Sequence, residues 1–160
     1  MNFKLFTLSL GRAIGLFALS RHLTSGRVRI LAYHGIWLGE GHFGNFLYMD
    51  ARKFQRRLAL LNKWGYPVIP LTQAIDDLDE GRLPKSATVI TIDDGWYSTY
   101  VHMLPALLAH SSPATIYLTT YYCVNQAPVI DVALDYCFHQ IDSARCPEIH
   151  ISDFAFGPLP

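Results

Sequence analysis

Ala87-Thr88-Val89-Ile90-Thr91-Ile92-Asp93-Asp94-Gly95-Trp96 is the stretch on which the fold turns. Its first six residues are rich in β-branched types and read as a buried strand. Asp93 and Asp94 follow at once, then a glycine able to turn the chain sharply. Neighbouring side chains on a strand point to opposite faces, so the two acids cannot face one way while the strand stays regular. Where the chain bends at Gly95 they can diverge around a shared space and take different tasks, one binding a cation and the other moving protons. Acids at the end of a buried strand are costly unless paired, hydrogen-bonded or metal-bound. Taken alone, the tripeptide reads as a solvated Asp-Asp-Gly turn; the surrounding chain is what changes that reading.

Outward from it, strands and helices alternate. Residues 28–34 read as a first strand with His34 near its end, and residues 35–50 as a long glycine-rich loop carrying Trp37, Phe43, Phe46 and Tyr48. Asp50 is placed to cap a helix whose face is Phe54, Leu58, Leu61 and Trp64, and Gly65 ends it. Residues 66–70 read as a short strand. Thr72 is then expected to cap a helix that carries Ala74, Ile75 and Leu78 and ends by Gly81. A third helix is expected over residues 98–110, with Pro105 near a first turn or a kink. Residues 114–119 read as a strand and residues 129–139 as a helix with Val132, Ala133, Tyr136 and Cys137 on one side. Residues 148–154 begin a strand or a hairpin. This order implies α/β architecture with parallel strands and helical crossovers, the way a (β/α) barrel starts. A full barrel takes about 250 residues, so 160 residues give roughly its first half, an incomplete barrel or an open sheet.

Composition sets limits. Of the 160 residues 51% are hydrophobic and 16% charged, enough for a sizeable core. The formal net charge is zero, so the chain as a whole gives no nucleic-acid signal. Residues 1–29 nevertheless hold Lys4, Arg12, Arg21, Arg27 and Arg29 and no acid, a charge of +5 that leaves −5 for the remainder. Cys123, Cys137 and Cys146 are odd in number and lack CxxC spacing. They argue against a disulfide framework or a zinc ribbon and are expected as small core residues in a reducing, cytoplasmic compartment. Phe3, Phe6, Leu10, Ala13 and Phe17 fall at helical spacing, but Lys4 and Arg12 interrupt the run that a spanning helix or signal peptide needs. Two readings stay open for this stretch: a leading helix packed on the domain, or a basic amphipathic helix making peripheral contact with an anionic membrane through residues 1–25. The domain organisation expected is residues 1–27 as that basic, apolar helix and residues 28–160 as the partial barrel.

Thr91-Ile92-Asp93-Asp94-Gly95 resembles the Thr-Phe-Asp-Asp-Gly motif of the polysaccharide deacetylases, the nodulation-type (NodB-homology) carbohydrate esterases of family 4, with Ile92 in place of Phe. Ile30-Leu31-Ala32-Tyr33-His34-Gly35-Ile36 is similar to the family's opening strand. Leu61-Asn62-Lys63-Trp64-Gly65-Tyr66 and Gly81-Arg82-Leu83-Pro84 are similar to what precedes the motif there, and Pro113-Ala114-Thr115-Ile116-Tyr117-Leu118 to the strand after it. The resemblance covers roughly residues 28–140. It implies a distorted (β/α) barrel that removes acetyl groups from N-acetylated sugars of a glycan. It also implies a divalent metal, zinc first, at the strands' carboxyl ends. On that resemblance Asp93 is the general base and Asp94 a metal ligand. His34 is the histidine nearest them that could join the metal, and Trp96 and Tyr97 are candidates to line a sugar site.

The chain also departs from the family. Its metal site is completed by His-x-x-x-His, and none of the seven histidines here has another four residues on. The later segments that supply an arginine, an oxyanion tyrosine and a histidine acid have no counterpart. Three accounts follow: the first part of a deacetylase, inert by itself; a non-catalytic glycan-binding remnant using Trp37, Trp96 and Tyr97; or a metal site rebuilt around His34. Glycoside hydrolysis also uses paired acids, but about 5–9.5 Å apart across a bond, which adjacent residues on one turn rarely supply. Asp76, Asp77, Asp79 and Glu80 at a helix end read as a solvated face.

Overall fold

The structure is a computed structural model in which residues 3–37, 42 and 45–140 are described. The chain divides into two compact units, Met1–Thr120 and Tyr121–Pro160. The core of the first is a parallel sheet in the order β1 (Arg29–Tyr33), β4 (Thr88–Asp94), β5 (Thr115–Leu118). The register runs Tyr33 opposite Ile92 on one side and Ile92 opposite Ile116 on the other. Parallel strands place their carboxyl ends at one rim, and paired residues stand on the same face. With helical crossovers between the strands, this is a partial (β/α) barrel, as the alternation in the sequence implied.

One face of the sheet is covered by helices. Tyr33, Ile90 and Ile92 pack with Phe54 and Leu58 of α3 (Ala51–Lys63) and with Met103, Ala106 and Leu107. The opposite face is closed at its lower end by Ile69 and Ala74, which pack with Ala87 and Val89. β4 is buried from Thr88 to Ile92, which explains the β-branched run there.

Local rules explain most element ends. The Asp50 carboxylate accepts the Lys53 N–H at 3.1 Å, capping α3 as expected. Gly65, at φ 67°, ends it in a left-handed turn. α4 (Leu71–Asp79) starts one residue before the expected cap: Pro70 precedes its first turn and its carbonyl accepts the Ala74 N–H at 2.9 Å, so Thr72 lies inside. Of the apolar face predicted for α4, only Ala74 is buried; Ile75 and Leu78 are exposed. The short strand expected at residues 66–70 reduces to one parallel bridge, Val68 to Thr88. Pro67 and Pro70 bracket it and have no N–H to donate to a longer ladder.

The third helix splits into a π-helical turn, Thr99–Met103, and α5, Leu104–Ala109, with Pro105 in the first turn of α5. Proline removes the donor that a regular α ladder needs there, and the wider turn before it accommodates the loss. In residues 35–50 the expected loop contains two short strands, β2 (Gly35–Ile36) and β3 (Tyr48–Met49), paired in parallel. Gly35 permits that approach, since a Cβ there would meet the Tyr48 ring at 3.0 Å and Ser98 Oγ at 3.1 Å.

At the amino end, the single packed helix is corrected to two, α1 (Phe3–Ala13) and α2 (Leu16–Leu23), bent by 70° at the break. Of their residues only Gly11 is buried, against Leu16 and Phe17 of α2. The cysteine expectation is corrected too: Cys123 and Cys137 are exposed, and Cys146 lies outside the described residues, as does the element expected at residues 148–154. The second unit contributes α6 (Thr120–Asn125) and α7 (Ile130–Gln140). α6 was not foreseen, and it closes with the Ala127 N–H donating to the Tyr122 carbonyl at 3.2 Å. On α7, Val132 and Ala133 are half-buried, whereas Tyr136 and Cys137 are exposed.

Candidate functional site

The site begins with the turn that ends β4. The Gly95 N–H donates to the Asp93 carbonyl at 2.9 Å, closing a three-residue turn centred on Asp94, whose φ is +69°. That conformation is rare outside glycine, although aspartate tolerates it better than most, and such strained residues gather at functional sites. Gly95 continues the bend at φ 72° beneath Leu118, leaving no room for a side chain.

The turn separates the two acids. Asp93 is paired with Tyr117 and shares its face of the sheet, with Thr91 two residues below it. Asp94 is held from both ends of its carboxylate. Trp96 Nε1 donates to Oδ2 at 3.2 Å and Thr119 Oγ1 donates to Oδ1 at 3.4 Å. Both acids are half-buried. On the ladder the two residues take alternate faces, the separation that the sequence allows. β4 thus ends in a positive-φ residue whose side chain is tied down by its neighbours.

His34 follows Tyr33, the residue opposite Ile92, and so stands at the level of Asp93 on the adjoining strand. All three candidates thus lie at one rim, where open α/β sheets bind ligands. Trp96 is half-buried, with its indole N–H committed to Asp94 and its ring edge-on to Tyr48 at 5.6 Å. Tyr48 in turn stacks on His42 at 3.9 Å. Tyr97 is 78% exposed and its ring lies 6.3 Å from that of Tyr100, also exposed. On the helical side of the turn, Trp96, Tyr100, Leu104, Ile116 and Leu118 wall an apolar cleft of about 430 Å³.

Three contributors escaped the reading of the sequence. Thr119 binds Asp94 because β5 runs parallel to β4 and delivers its last residues to the same rim. Ser98 accepts the Ile36 N–H at 3.1 Å and pins the strand pair of the loop beside the turn. Tyr48 carries the Trp96 ring. Each is a lone residue of common type, and only the register of distant segments brings it here.

A metal centre can be tested against these residues. The two hydrogen bonds to Asp94 resemble the outer partners that orient a ligating carboxylate. A catalytic zinc, however, takes about three protein ligands. Among the described residues no group of three or more histidine, cysteine, aspartate or glutamate side chains is placed to hold an ion. The described residues thus do not make a metal site by themselves.

No model of a known protein family matches the sequence, and no curated protein matches it. Solved structures do. IcaB from Ammonifex degensii is similar at 25% identity and a TM-score of 0.51, over 57% of this chain and 37% of that one. A de-N-acetylase from Aggregatibacter actinomycetemcomitans is similar at 26% identity and a TM-score of 0.53, over 64% of this chain and 40% of that one. The Streptococcus pyogenes deacetylase PplD, solved with acetate, shares the fold at 22% identity and a TM-score of 0.53, over 59% of this chain and 43% of that one. The chain therefore spans about two fifths of the length of these structures. With paired acids at the tip of its central parallel strand, and a de-N-acetylase matched over 64% of its length, this chain carries part of the polysaccharide-deacetylase fold.

Proposed function

We propose that this chain carries the acidic part of a glycan de-N-acetylase site, directed at the acetamido groups of N-acetylated sugars. The observation that supports the reading best is the strained turn at Asp94, which divides two adjacent carboxylates at the carboxyl ends of parallel strands. Amide hydrolysis adds water to the acetyl carbon, breaks the C–N bond, and releases acetate and the sugar amine. A carboxylate within reach takes the proton from the attacking water. Asp93 is assigned that role because its place on the ladder shares a face with Tyr117, at the level of His34 on the adjoining strand. Asp94 is assigned the cation because Trp96 and Thr119 already orient its carboxylate, with His34, at the same rim, as the candidate further donor. Among the described residues that donor set is short, so no turnover is expected from the described residues by themselves.

A second reading rests on Tyr97 and Tyr100, whose exposed rings beside the turn suit stacking on sugar faces. It makes the chain a glycan-binding module without turnover. Both readings are tested with the 160-residue chain and N-acetylglucosamine oligomers, measuring acetate release and binding by calorimetry. Binding weakened by Tyr97→Ala, with no acetate released, is the expected result. Acetate released at a rate that Asp93→Asn abolishes would overturn the expectation of inactivity and affirm the base. Neither binding nor release would sink both readings. Titration with zinc or cobalt, with Asp94→Asn as control, reports the cation separately: tight binding lost in the variant would show a donor set beyond the one described.

A further inference from the structure

α1 and α2 precede the first strand of the sheet, and they are built to a pattern. Phe3, Phe6 and Leu10 on α1 and Leu16, Leu19 and Leu23 on α2 recur at three- and four-residue spacing, and all six are exposed. A surface helix of a soluble domain turns such a stripe to the core. Here the side of α2 that meets the rest of the unit is a different one. Phe17, Ser20 and Arg21 line a cleft of about 520 Å³ with Arg12, Trp64 and Tyr66, while Leu16 leans on Gly11 of α1 and Leu19 and Leu23 are left exposed.

Charge identifies what covers it. Residues 1–29 hold five cations and no acid. Arg29 is engaged internally, donating to Thr24 Oγ1 at 2.7 Å with its guanidinium over the Tyr66 ring. Lys4, Arg12, Arg21 and Arg27 are exposed. A second copy would bring like charges together across a symmetric contact, whereas phosphate headgroups complement them. Among the described residues no single helix is long and apolar enough to cross a membrane. Taken together the two helices have the length and composition of a broken span, but they bend by 70° at a glycine of φ 75°, and each arm alone, of 11 or 8 residues and about 16 or 12 Å, is shorter than a hydrocarbon core of about 30 Å.

We propose that α1 and α2 form an in-plane anchor that docks the chain on a bilayer rich in anionic lipid, the apolar stripes entering the acyl boundary and the cations meeting the phosphates. The test is flotation of the whole chain with phosphatidylcholine vesicles and with vesicles that also contain phosphatidylglycerol. The chain is expected to float with the anionic vesicles and to stay behind with the neutral ones. Each of Lys4→Gln and Arg27→Gln, cations outside the cleft, should weaken binding about fivefold, and Phe6→Ser with Leu19→Ser should abolish it. These side chains are exposed, so the far-ultraviolet circular dichroism of the variants should match that of the parent. Three results would overturn the proposal: no flotation with either vesicle, binding untouched by Phe6→Ser with Leu19→Ser, or a dimer in sedimentation that the same pair of substitutions dissociates.

Discussion

At the scale of single residues, the site depends on a backbone that few side chains tolerate. Asp94 and Gly95 both lie at positive φ, and Gly95 sits directly under Leu118. Gly95→Ala therefore meets two penalties. The left-handed conformation costs about 1–2 kcal/mol for a residue with a Cβ, and the new methyl collides with Leu118 Cδ1. Urea denaturation separates them. In a Leu118→Ala background the collision is gone, yet Gly95→Ala should still destabilise by about 1 kcal/mol. A negligible cost in that background would mean that packing alone selects glycine. The pair Asp93 and Asp94 was legible in the sequence because its cause is local: a buried strand, two acids and a turn. The residues that fix Asp94 were not legible. Thr119 lies 25 positions on, and nothing in its own surroundings marks it as a partner.

At the scale of elements, periodicity told which residues share a face but not whether anything covers that face. α3 shows both outcomes on one stripe. Phe54 is wholly buried, with its ring edge-on to Tyr33 at 5.1 Å, whereas Trp64, ten residues along, is 56% exposed at the helix end. Phe54→Ala should cost about 3–5 kcal/mol through the cavity it leaves, and Trp64→Ala less than about 1 kcal/mol. Thermal or urea unfolding of the two variants checks the contrast; equal losses would mean that the cleft lined by Trp64 is a structural contact. The same limit explains α4, where Ile75 and Leu78 keep helical spacing without a partner, and α1 with α2, where a whole stripe remains outside. Caps and breaks were legible in part. Asp50 and Gly65 act through their own backbone, but the π-helical turn before Pro105 depends on how the chain re-pairs once a donor is missing.

At the scale of the whole molecule, the governing feature is that the described sheet has two bare edges. β1 and β5 are its outer strands, and each leaves one row of N–H and C=O groups without a strand beside it among the described residues. The devices that protect such edges are charge, proline, a bulge or a covering element. β5, Thr115-Ile116-Tyr117-Leu118, contains no proline and no charge, and Ile116, Tyr117 and Leu118 are all about half exposed. β1 at least carries Arg29 at its start. The chain should therefore self-associate as its concentration rises, with β5 as the point of contact. Tyr117→Lys places a cation on that edge beside Asp93, its register partner, where opposite charges across a strand pair are tolerated. Light scattering against concentration should fall in this variant, since an edge lysine opposes strand pairing, and should not fall for Leu134→Lys, which alters an exposed leucine of α7 instead. A third variant decides the cause. If Phe6→Ser suppresses the association and Tyr117→Lys does not, the apolar helices at the amino end are responsible and the strand edge is quiet. If Tyr117→Lys alone suppresses it, the open edge of the partial barrel limits how these 160 residues behave in solution, and the vesicle-binding face and the associating face are physically distinct.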